Sequence, residues 1–381
     1  MTWQRVRLLE VAPLVKDRVT PWVGVRRYIA TGDADDEGNL GGVAITYEER
    51  PSRADLVGAP GDIAFARMAA TAKVFVMDER ASRAVFSTGF AILRPRPERA
   101  NVHFLKHWLR SSETQLTMDS LSAGATQRAL TNAGLGALEM PLPPVSEQQR
   151  IAAILDAADA IRAKRRAQLA HLDDLPQAVF RSMFGDPAQA RECDKRAIGE
   201  VARVVTGNTP PRSDPSNYGD LIEWIKSDNL GGFVATPASE RLSSIGRGRA
   251  RLAPAGSVLV TCIAGSPASI GKASIVDREV AFNQQINAIL PSNALEPVFL
   301  HAQLAGAPTL IRAKSTGGMK GLVSKSQFES VRILVPRLAV QQEFAAKVEA
   351  IHAERARVAR ALEADDELFA ALQHRAFRGE L

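Results

Sequence analysis

One pattern of residues occurs twice in this chain, and this duplication constrains the fold more than any other feature. Residues 143–183 align with residues 336–376 at an offset of 193, which places Gln148 over Gln341. The alignment continues backwards at the same offset over residues 122–124 and, with small gaps, further upstream. Self-similarity on this scale indicates two copies of one structural unit.

Each copy has a long mixed segment followed by a helical one. The long segments consist of short strand-like runs, such as 257–263 (SVLVTCI), separated by Gly and Pro. We therefore predict an α+β fold in which two α/β domains alternate with two long helices. The predicted boundaries are 1–144 and 186–336 for the domains, and 145–185 and 337–381 for the helices.

The two helical segments carry apolar residues at intervals of three and four, and many of these recur every seven residues. That repeat is typical of a coiled-coil seam. Each stripe taken singly is also explained by burial against the chain's own domains, but two matched stripes favour pairing of the helices with each other. The residues predicted to form this seam are Ile151, Leu155, Leu169, Phe184, Phe344, Val348, Ile351, Leu362 and Phe369.

The ends of the first helix have recognisable signals. Ser146 followed by Gln149 fits a capping box, in which both side chains satisfy free backbone N–H groups. Pro176 lacks an N–H and should kink or end the helix. A helix from Ser146 to Leu175 would be about 45 Å long at ~1.5 Å per residue. Arg162 falls on the seam, where we expect its long stem to carry the charge out to water.

Positive charge is concentrated in the two long segments. The chain has a net charge of +6 and a pI near 9.5. Lys and Arg exceed Asp and Glu by six in residues 187–337 and by two in residues 1–145, whereas the helical segments are neutral or acidic. This distribution is compatible with a polyanionic partner for the domains.

The chain carries no sign of a membrane or secreted protein. No apolar run approaches the ~18 residues of a membrane span, and the N-terminal residues do not resemble a signal peptide. Cys193 and Cys262 match no disulfide framework and no zinc spacing. We expect a cytoplasmic protein with two reduced thiols and no membrane partner.

No catalytic or metal centre is recognisable. The loop 265–273 (GSPASIGKA) has a glycine spacing one residue too long for a P-loop, and Ala273 stands where a Ser or Thr would bind magnesium. Glu223 and Lys226 are one residue too far apart for the Glu-x-Lys of a common nuclease core. The histidines form no pair at metal spacing. We expect no catalytic residue, no metal and no cofactor in this chain.

The duplicated arrangement resembles the specificity subunits of type I restriction–modification systems. The resemblance rests on 142–151 (LPPVSEQQRI) and 184–187 (FGDP) around the first helix, and on 323–328 (VSKSQF) before the second. In the second copy, 206–210 (TGNTP) followed by 224–226 (WIK) resembles the opening of that family's recognition domain. The resemblance covers nearly the whole chain and is weakest over the first hundred residues.

This resemblance implies sequence-specific binding to double-stranded DNA, with each domain reading one half of a bipartite, asymmetric site. The helices would pair as an antiparallel coiled coil that sets the distance between the half-sites. Methyltransferase subunits, two of them expected, would dock on the helices, and restriction subunits could join them. S-adenosylmethionine, ATP and magnesium would belong to those partners. A scaffold that binds no DNA and a solitary enzyme are the alternatives, and the basic excess speaks against the scaffold.

Basic and amide side chains in the two domains are candidates for DNA contact, because Lys and Arg bind phosphates and amides can hydrogen-bond base edges. A solvated surface position is the more common explanation for any one of them. The candidates in the first domain are Arg67, Lys73 and Arg128. Those in the second are Asn208, Thr209, Arg212, Lys226, Lys272, Asn283, Gln284, Lys314 and Lys320.

The amide run 283–285 (NQQ) differs from its counterpart in the first copy. Aligning 288–291 (AILP) with 91–95 (AILRP) sets the run against 86–88 (FST). Framework residues around the run persist while these three change, as expected if the two domains read different bases.

Overall fold

The structure, a computed structural model, describes residues 3–36, 38–124, 128–315 and 321–381. It divides the chain into two units, the first formed by residues 1–166 with 360–381 and the second by residues 167–359. Each unit therefore contains one mixed segment together with parts of both long helices. Within the described residues, no helix has the length and apolar character needed to cross a membrane.

The described residues of the first unit form two small sheets and two short strand pairs. Its strands are β1 (Arg5–Arg7), β2 (Arg26–Ile29), β3 (Val43–Ile45), β4 (Ala54–Leu56), β5 (Ile63–Ala66), β6 (Val74–Val76), β7 (Val85–Ser87), β8 (Phe90–Leu93), β9 (Ser122–Ala123), β10 (Ala129–Leu130) and β11 (Glu139–Pro141). One sheet has the order β3-β2-β7-β4, with β2 and β7 parallel, and the other has the antiparallel order β6-β5-β8. The short antiparallel pairs are β1 with β11 and β9 with β10.

The α-helices that begin in the described residues of this part are α1 (Leu8–Val11), α2 (Glu79–Ser82), α3 (Val102–Arg110), α4 (Ser112–Ser120), α5 (Asn132–Ala137) and the long α6 (Val145–Phe184). The main core of the unit lies where α3 packs against α6. Phe104 and Leu105 of α3 are fully buried there with Ile151 and Leu155 of α6. The predicted seam residues at the start of α6 thus form part of the domain core itself.

The second unit repeats this architecture. Its strands are β12 (Lys195–Ala197), β13 (Val204–Thr206), β14 (Tyr218–Ile225), β15 (Arg241–Leu242), β16 (Leu252–Ala253), β17 (Val258–Thr261), β18 (Ile263–Ala264), β19 (Ala273–Ile275), β20 (Val280–Phe282), β21 (Ile286–Ile289), β22 (Gly321–Leu322) and β23 (Arg332–Leu334). The sheet β15-β14-β20-β16 has its central pair parallel, as in the first unit, and the sheet β13-β21-β17-β19 is antiparallel.

The remaining helices are α7 (Ile198–Val201), α8 (Ser244–Arg249), α9 (Pro297–Gly306), α10 (Thr309–Arg312), α11 (Lys325–Glu329) and the long α12 (Leu338–Arg378). The core of the second unit joins the antiparallel sheet to the long helices. Phe180 of α6, Phe299 of α9 and Phe344 of α12 meet there with ring centroids 5.5 to 6.2 Å apart. The predicted fold of two α/β domains alternating with two long, paired helices is confirmed.

The long helices run antiparallel within each unit. In the first unit Arg162 contacts Asp366 at 2.5 Å, and Arg150, twelve residues earlier, donates to the Leu381 carbonyl at 2.8 Å. In the second unit Arg355 contacts Asp173 at 2.5 Å. In the first unit the partner moves back from Leu381 to Asp366 as the α6 residue moves on from Arg150 to Arg162. In the second unit Phe180 of α6 contacts Phe344, which precedes Arg355, so the helices are antiparallel there too.

The predicted seam residues lie in two environments. Phe344, Val348 and Phe369 are buried in the unit cores, and Phe184 packs against the second core. Leu169, Ile351 and Leu362 are only half-buried. Near the middle of the helices, ion pairs form part of the contact: Arg162 with Asp366, Arg165 with Asp365, and Arg166 with Asp366. Arg162 also pairs with Asp159 of its own helix. Arg162 is held in this network, so its charge does not simply extend into water as expected.

One prediction about the first helix, the Ser146 capping box, is wrong, and of the two effects expected of Pro176 the end of the helix does not occur. The helix begins at Val145, where the Pro144 carbonyl accepts the first amide hydrogen bonds, so Ser146 lies inside the first turn and is not the cap. The helix also continues through Pro176 to Phe184. Packing of Phe180 and Phe184 into the second core stabilises the turn that follows the proline, and this outweighs the lost backbone hydrogen bond.

Candidate nucleic-acid interface

A short turn between two strands has the same geometry in both units. In the first, Phe86 of β7 pairs with Ile29, and in the second, Phe282 of β20 pairs with Ile225. The residue after each Phe is buried, and its side chain accepts a hydrogen bond from the amide two residues on. Ser87 Oγ accepts from Gly89 at 3.2 Å, and Asn283 Oδ1 accepts from Gln285 at 3.1 Å.

This register corrects the sequence alignment by one residue. Asn283 corresponds to Ser87 and not to Phe86, and Gln284 corresponds to Thr88. The alignment was wrong because runs of small and branched apolar residues match at either register, whereas backbone pairing allows only one. Thr88 and Gln284 are the exposed residues of the two turns.

Asn283 and Gln284 therefore have different environments. The Asn283 side chain is buried, and it also donates to the Gln285 Oε1 at 2.9 Å, so both ends of its amide are used within the turn. Gln284 is exposed and accepts a hydrogen bond from the Thr209 hydroxyl. Gln284 is thus the amide of this run that a ligand can reach.

The turn at 206–209 packs closely against this amide run. A side chain at Gly207 would place its Cβ 2.2 Å from the Asn283 carbonyl oxygen, so only glycine fits. Asn208 donates to the Arg249 carbonyl at 2.9 Å and accepts from the Arg251 amide at 2.6 Å. The Asn208 side chain therefore holds two segments of the backbone together.

Five of the predicted contacts in the second domain come together around one indole ring. We call this the Trp224 cluster: Asn208, Thr209, Arg212, Trp224, Lys226, Glu240 and Gln284. The Trp224 indole donates to the Asn208 carbonyl at 3.3 Å. The Arg212 guanidinium lies 5.3 Å and the Lys226 ammonium 5.2 Å from the centre of the ring.

Electrostatics leave the Trp224 cluster positive. Glu240 forms ion pairs with both Arg212, at 3.0 Å, and Lys226. Hydrogen bonds from Arg212 and then Lys226 hold the pKa of the Glu240 carboxyl below its usual range. The single carboxylate of Glu240 thus pairs with two cations. Both cations are accessible enough to release Glu240 and bind a phosphate in its place.

The other basic candidates of the second domain surround a neighbouring loop. Lys272 precedes β19 and is exposed. Lys314 is exposed just after α10, whose Arg312 donates to the Ile270 and Ala268 carbonyls at 3.0 and 2.8 Å. Lys320 lies outside the described residues. Lys272 thus ends the segment 268–272, and Lys314 follows two residues after the arginine that binds this segment.

The three candidates of the first domain also lie close together. Arg67 follows β5 and donates to Asn132 at 2.7 Å, and its amide and carbonyl are held by Gly89 and Leu130. Lys73 precedes β6 and donates to the Thr31 carbonyl at 2.9 Å. Arg128 donates to the Asp119 and Ser122 carbonyls at 2.6 and 3.3 Å.

These three cations are held by neutral oxygens. No ion pair involving them exists in the part of the chain that the structure describes. Burial, followed by repulsion from Arg18, lowers the pKa of Arg67, and its Nε is buried without a hydrogen-bond partner among the described residues. Their positive charge is therefore available to an anion.

Strand pairing also shows that two lysines are equivalent, which the sequence alignment did not reveal. The Lys73 carbonyl accepts from Ala66, and the Lys272 carbonyl accepts from Thr261 in the same position of the matching hairpin. Lys73 and Lys272 therefore occupy equivalent positions in the two copies. The alignment missed this because loops of different length separate the strands.

Two further groups escaped the sequence analysis. Gln148 and Gln341 are fully buried at the starts of the long helices and bind backbone groups. Arg26, Arg27, Arg80 and Arg83 line one concavity of the first unit. The glutamines could have been suspected from the repeat, but the arginines come from segments with no common pattern.

No cluster of metal-binding side chains occurs in residues 3–36, 38–124, 128–315 and 321–381.

Comparison with known proteins identifies the family. The family model described as "Type I restriction modification DNA specificity domain" matches twice, over residues 2–171 and 191–360. The chain is 28% identical over 168 residues to the type I restriction enzyme HindI specificity subunit of Haemophilus influenzae, a match that covers 42% of this chain and only 36% of that protein. It is 19% identical over 312 residues to the putative type I restriction enzyme MjaX specificity subunit of Methanocaldococcus jannaschii, covering 76% of this chain and 71% of that one.

Solved structures share the fold. A chain from a structural study of assembly and conformational transition of the type I R-M system aligns with a TM-score of 0.64 at 22% identity, covering 100% of this chain and 98% of that chain. The type I restriction-modification system S subunit from M. genitalium aligns with a TM-score of 0.59 at 14% identity, covering 99% and 96%. The chain therefore belongs to the family of the type I restriction–modification DNA specificity domain and contains two copies of that domain.

Proposed function

We propose that this chain is the specificity subunit of a type I restriction–modification complex and that each of its domains reads one half of a bipartite site in double-stranded DNA. The observation that carries the proposal is the pair of matched turns. Ser87 and Asn283 support them with the same hydrogen bond, and the exposed tips carry Thr88 in one copy and Gln284 in the other. A constant framework with different exposed tips suits two readers of different sequence.

The chemistry of the tips fits base recognition. A Gln amide can donate to and accept from the N7 and N6 positions of adenine in the major groove, and a Thr methyl can contact the thymine methyl group. Arg212 and Lys226 beside Gln284, and Arg67, Lys73 and Arg128 in the first domain, would bind the phosphates that position each domain. We keep Lys272 and Lys314 as phosphate contacts and place Asn208, Thr209 and Asn283 in supporting roles.

The proposed complex includes partners that supply the chemistry. Methyltransferase subunits, two for the two copies, would bind the paired helices and bring S-adenosylmethionine, and restriction subunits would bring ATP and magnesium. The exposed Ile161 and Leu368, which are 50% and 55% accessible on the helix pair of the first unit, offer such partners an apolar contact. This chain would supply specificity and no catalytic group.

The decisive experiment exchanges the two tips. The full chain with its methyltransferase subunit is used to select binding sequences from a random duplex library, for the original protein and for Thr88→Gln and Gln284→Thr. We expect each substitution to change preference in one half-site and to leave the other half-site and the spacing unchanged. The control is Gln342→Thr, an exposed amide on α12.

Three results would contradict the proposal. If the original protein enriches no sequence, the chain does not recognise DNA sequence. If one tip substitution changes the preference in both half-sites, the model in which each domain reads one half-site is wrong. An unchanged preference in both tip variants would show that other residues read the bases.

A further inference from the structure

The first unit has a concentration of arginines that no predicted contact includes. Arg26 and Arg27 begin β2, and Arg80 and Arg83 lie in and just after α2, immediately before β7. All four line one open concavity. We call this group the arginine edge, since β2 and β7 are parallel and the four residues lie at their common N-terminal edge.

The side chains of the arginine edge contact neutral groups. Arg26 lies 5.1 Å from the Trp22 ring centre, and Arg27 donates to the Leu40 carbonyl at 3.2 Å. In the described ranges none of the four forms an ion pair within 4.0 Å, not even with the adjacent Glu79. Four like charges at one edge raise the local positive potential, which attracts an anion.

The second unit shows what the same edge looks like when it is neutral. Tyr28 and Trp224 occupy the same ladder position, so Arg27 corresponds to Glu223. Val85 and Ala281 are likewise equivalent, so Arg83 corresponds to Glu279. At two matched positions the duplicated framework therefore carries opposite charge.

In the second unit those glutamates are paired. Glu223 contacts Arg278 at 2.7 Å and Arg241 at 3.9 Å, and Glu279 contacts Arg247 at 2.6 Å. The hydrogen bond from Arg278 holds the pKa of the Glu223 carboxyl below its usual range. At this edge of the second unit the glutamates are thus paired with arginines of the same unit, whereas the described part of the first unit shows no ion pair at the arginine edge.

We propose that the arginine edge of the first domain binds backbone phosphates of duplex DNA, and that the second domain has no such contact at its equivalent edge. The proposal rests on the proposed DNA-binding function and adds an asymmetry to it. Guanidinium groups bind phosphate oxygens with paired hydrogen bonds. Arg80 and Arg83 are exposed and Arg26 and Arg27 half-buried, which suits a series of phosphates along a duplex better than one enclosed anion.

The location agrees with simultaneous base reading. The arginine edge and Thr88 lie at opposite ends of β2 and β7 in the same sheet. Strands of this length span roughly 10 Å at ~3.3 Å per residue, which is close to the major-groove width of about 12 Å. A duplex whose bases meet Thr88 can therefore present a phosphate strand to the arginines.

The test is the salt dependence of binding by the full chain to a duplex of unrelated sequence. Removing one arginine that binds a phosphate should flatten the slope of log affinity against log salt by about 0.9. We expect R26A/R80A/R83A to flatten it by about two to three units, and R83E, which installs the second copy's residue, by at least one. Arg27 is kept because it binds the Leu40 carbonyl.

The matched control is R7A/R96A/R337A, which removes three exposed arginines outside the edge and the same net charge. We expect its slope to stay near that of the original protein, and thermal unfolding should show all variants folded. Flattening confined to the edge variants supports the proposal. An unchanged slope in both edge variants, or equal flattening in the control, overturns it.

Other outcomes overturn the proposal in distinguishable ways. If the original protein shows no salt-dependent binding, the proposed function itself fails. If edge variants keep the slope but no longer co-purify with the methyltransferase subunit, the edge contacts an acidic protein surface. If inorganic phosphate binds the original protein but not the edge variant, while both bind the duplex with the same salt slope, the edge binds single phosphates and the duplex assignment is wrong.

Discussion

The guanidinium carbon of Arg162 lies 4.2 Å from the centre of the Phe369 ring, so a cation covers an aromatic face where the two long helices meet in the first unit. The same guanidinium contacts Asp159 at 2.8 Å and Asp366 at 2.5 Å. Phe369 is only 9% exposed and also faces the buried His107. One ring thus connects the helix pair to the core of its domain.

Removing this ring should destabilise the first unit. We expect Phe369→Ala to lower the free energy of unfolding by about 3 kcal/mol, because a buried aromatic side chain leaves a cavity and Arg162 loses its apolar neighbour. The control is the adjacent Leu368→Ala, since Leu368 is 55% exposed and should change stability by less than about 0.5 kcal/mol. Urea unfolding of the full chain measures both. Equal effects of the two substitutions would mean that Phe369 is not packed.

Gln148 should be far more sensitive to substitution than its neighbour. Its amide accepts from Asn101 N at 2.8 Å and donates to the Arg99 and Pro143 carbonyls at 2.9 and 2.8 Å. Gln148→Met leaves these buried groups unpaired and should cost about 2 to 4 kcal/mol, whereas the exposed Gln149→Met should be nearly neutral.

The duplicated position provides an independent check. Gln341 accepts from Glu296 N at 2.9 Å and donates to the Ala294 and Pro336 carbonyls at 3.0 and 2.8 Å. Gln341→Met and the exposed Gln342→Met should therefore repeat the contrast in the second unit. Thermal unfolding of all four variants measures this contrast. Similar melting temperatures within a pair would contradict a stabilising role for the buried glutamine of that pair.

Two buried histidines should make stability depend on pH. Burial lowers the pKa of His107 and of His301 to about 4 in the folded chain, against about 6.5 when unfolded. Between these values the unfolded state binds more protons, so the free energy of unfolding falls as pH decreases from about 6.5 towards 4. Each histidine contributes a decrease of up to about 1.4 kcal/mol per pH unit in that window.

Melting temperatures between pH 7.5 and 5 measure this effect. His301→Gln should be less pH-dependent than the original chain, while the exposed His171→Gln should follow the original curve. Asp156, whose pKa is held low by hydrogen bonds from Lys106 and His107 despite its partial burial, loses its stabilising effect only at lower pH and does not interfere. A flat melting curve for the original chain from pH 7 to 5 would refute the prediction.

The two cysteines should react at very different rates. Burial raises the pKa of the Cys262 thiol to about 12, whereas Cys193 is exposed. Since the thiolate is the reactive form, a disulfide reagent at pH 8 should modify one thiol in the native chain and two in denaturant. Cys193→Ser should abolish the native reaction, and rapid labelling of that variant would show that Cys262 is accessible.

Periodicity and repetition were enough to predict the domains and the paired helices, because apolar spacing directly reflects which face is buried. They could not show that Gln148 and Gln341 bind backbone from inside each core, since their partners at 99–101 and 294–296 lie far away in sequence. They also misplaced Asn283 by one position, because side-chain similarity does not determine strand register. The candidate site was predicted only in part: Arg212, Lys226 and Gln284 do converge, but Arg26 and Arg83 required the fold.

The division of the chain into units has a consequence for synthesis. Ribosomes release the chain from the N-terminus, and domains generally fold as soon as their residues are available. The second unit is contiguous and is complete once residue 359 has emerged, but the core of the first unit includes Phe369 and Ala376. The domain that is made first therefore finishes folding last. Until then Ile151 and Leu155 lack part of their packing, so apolar surface that the finished core buries stays exposed to water.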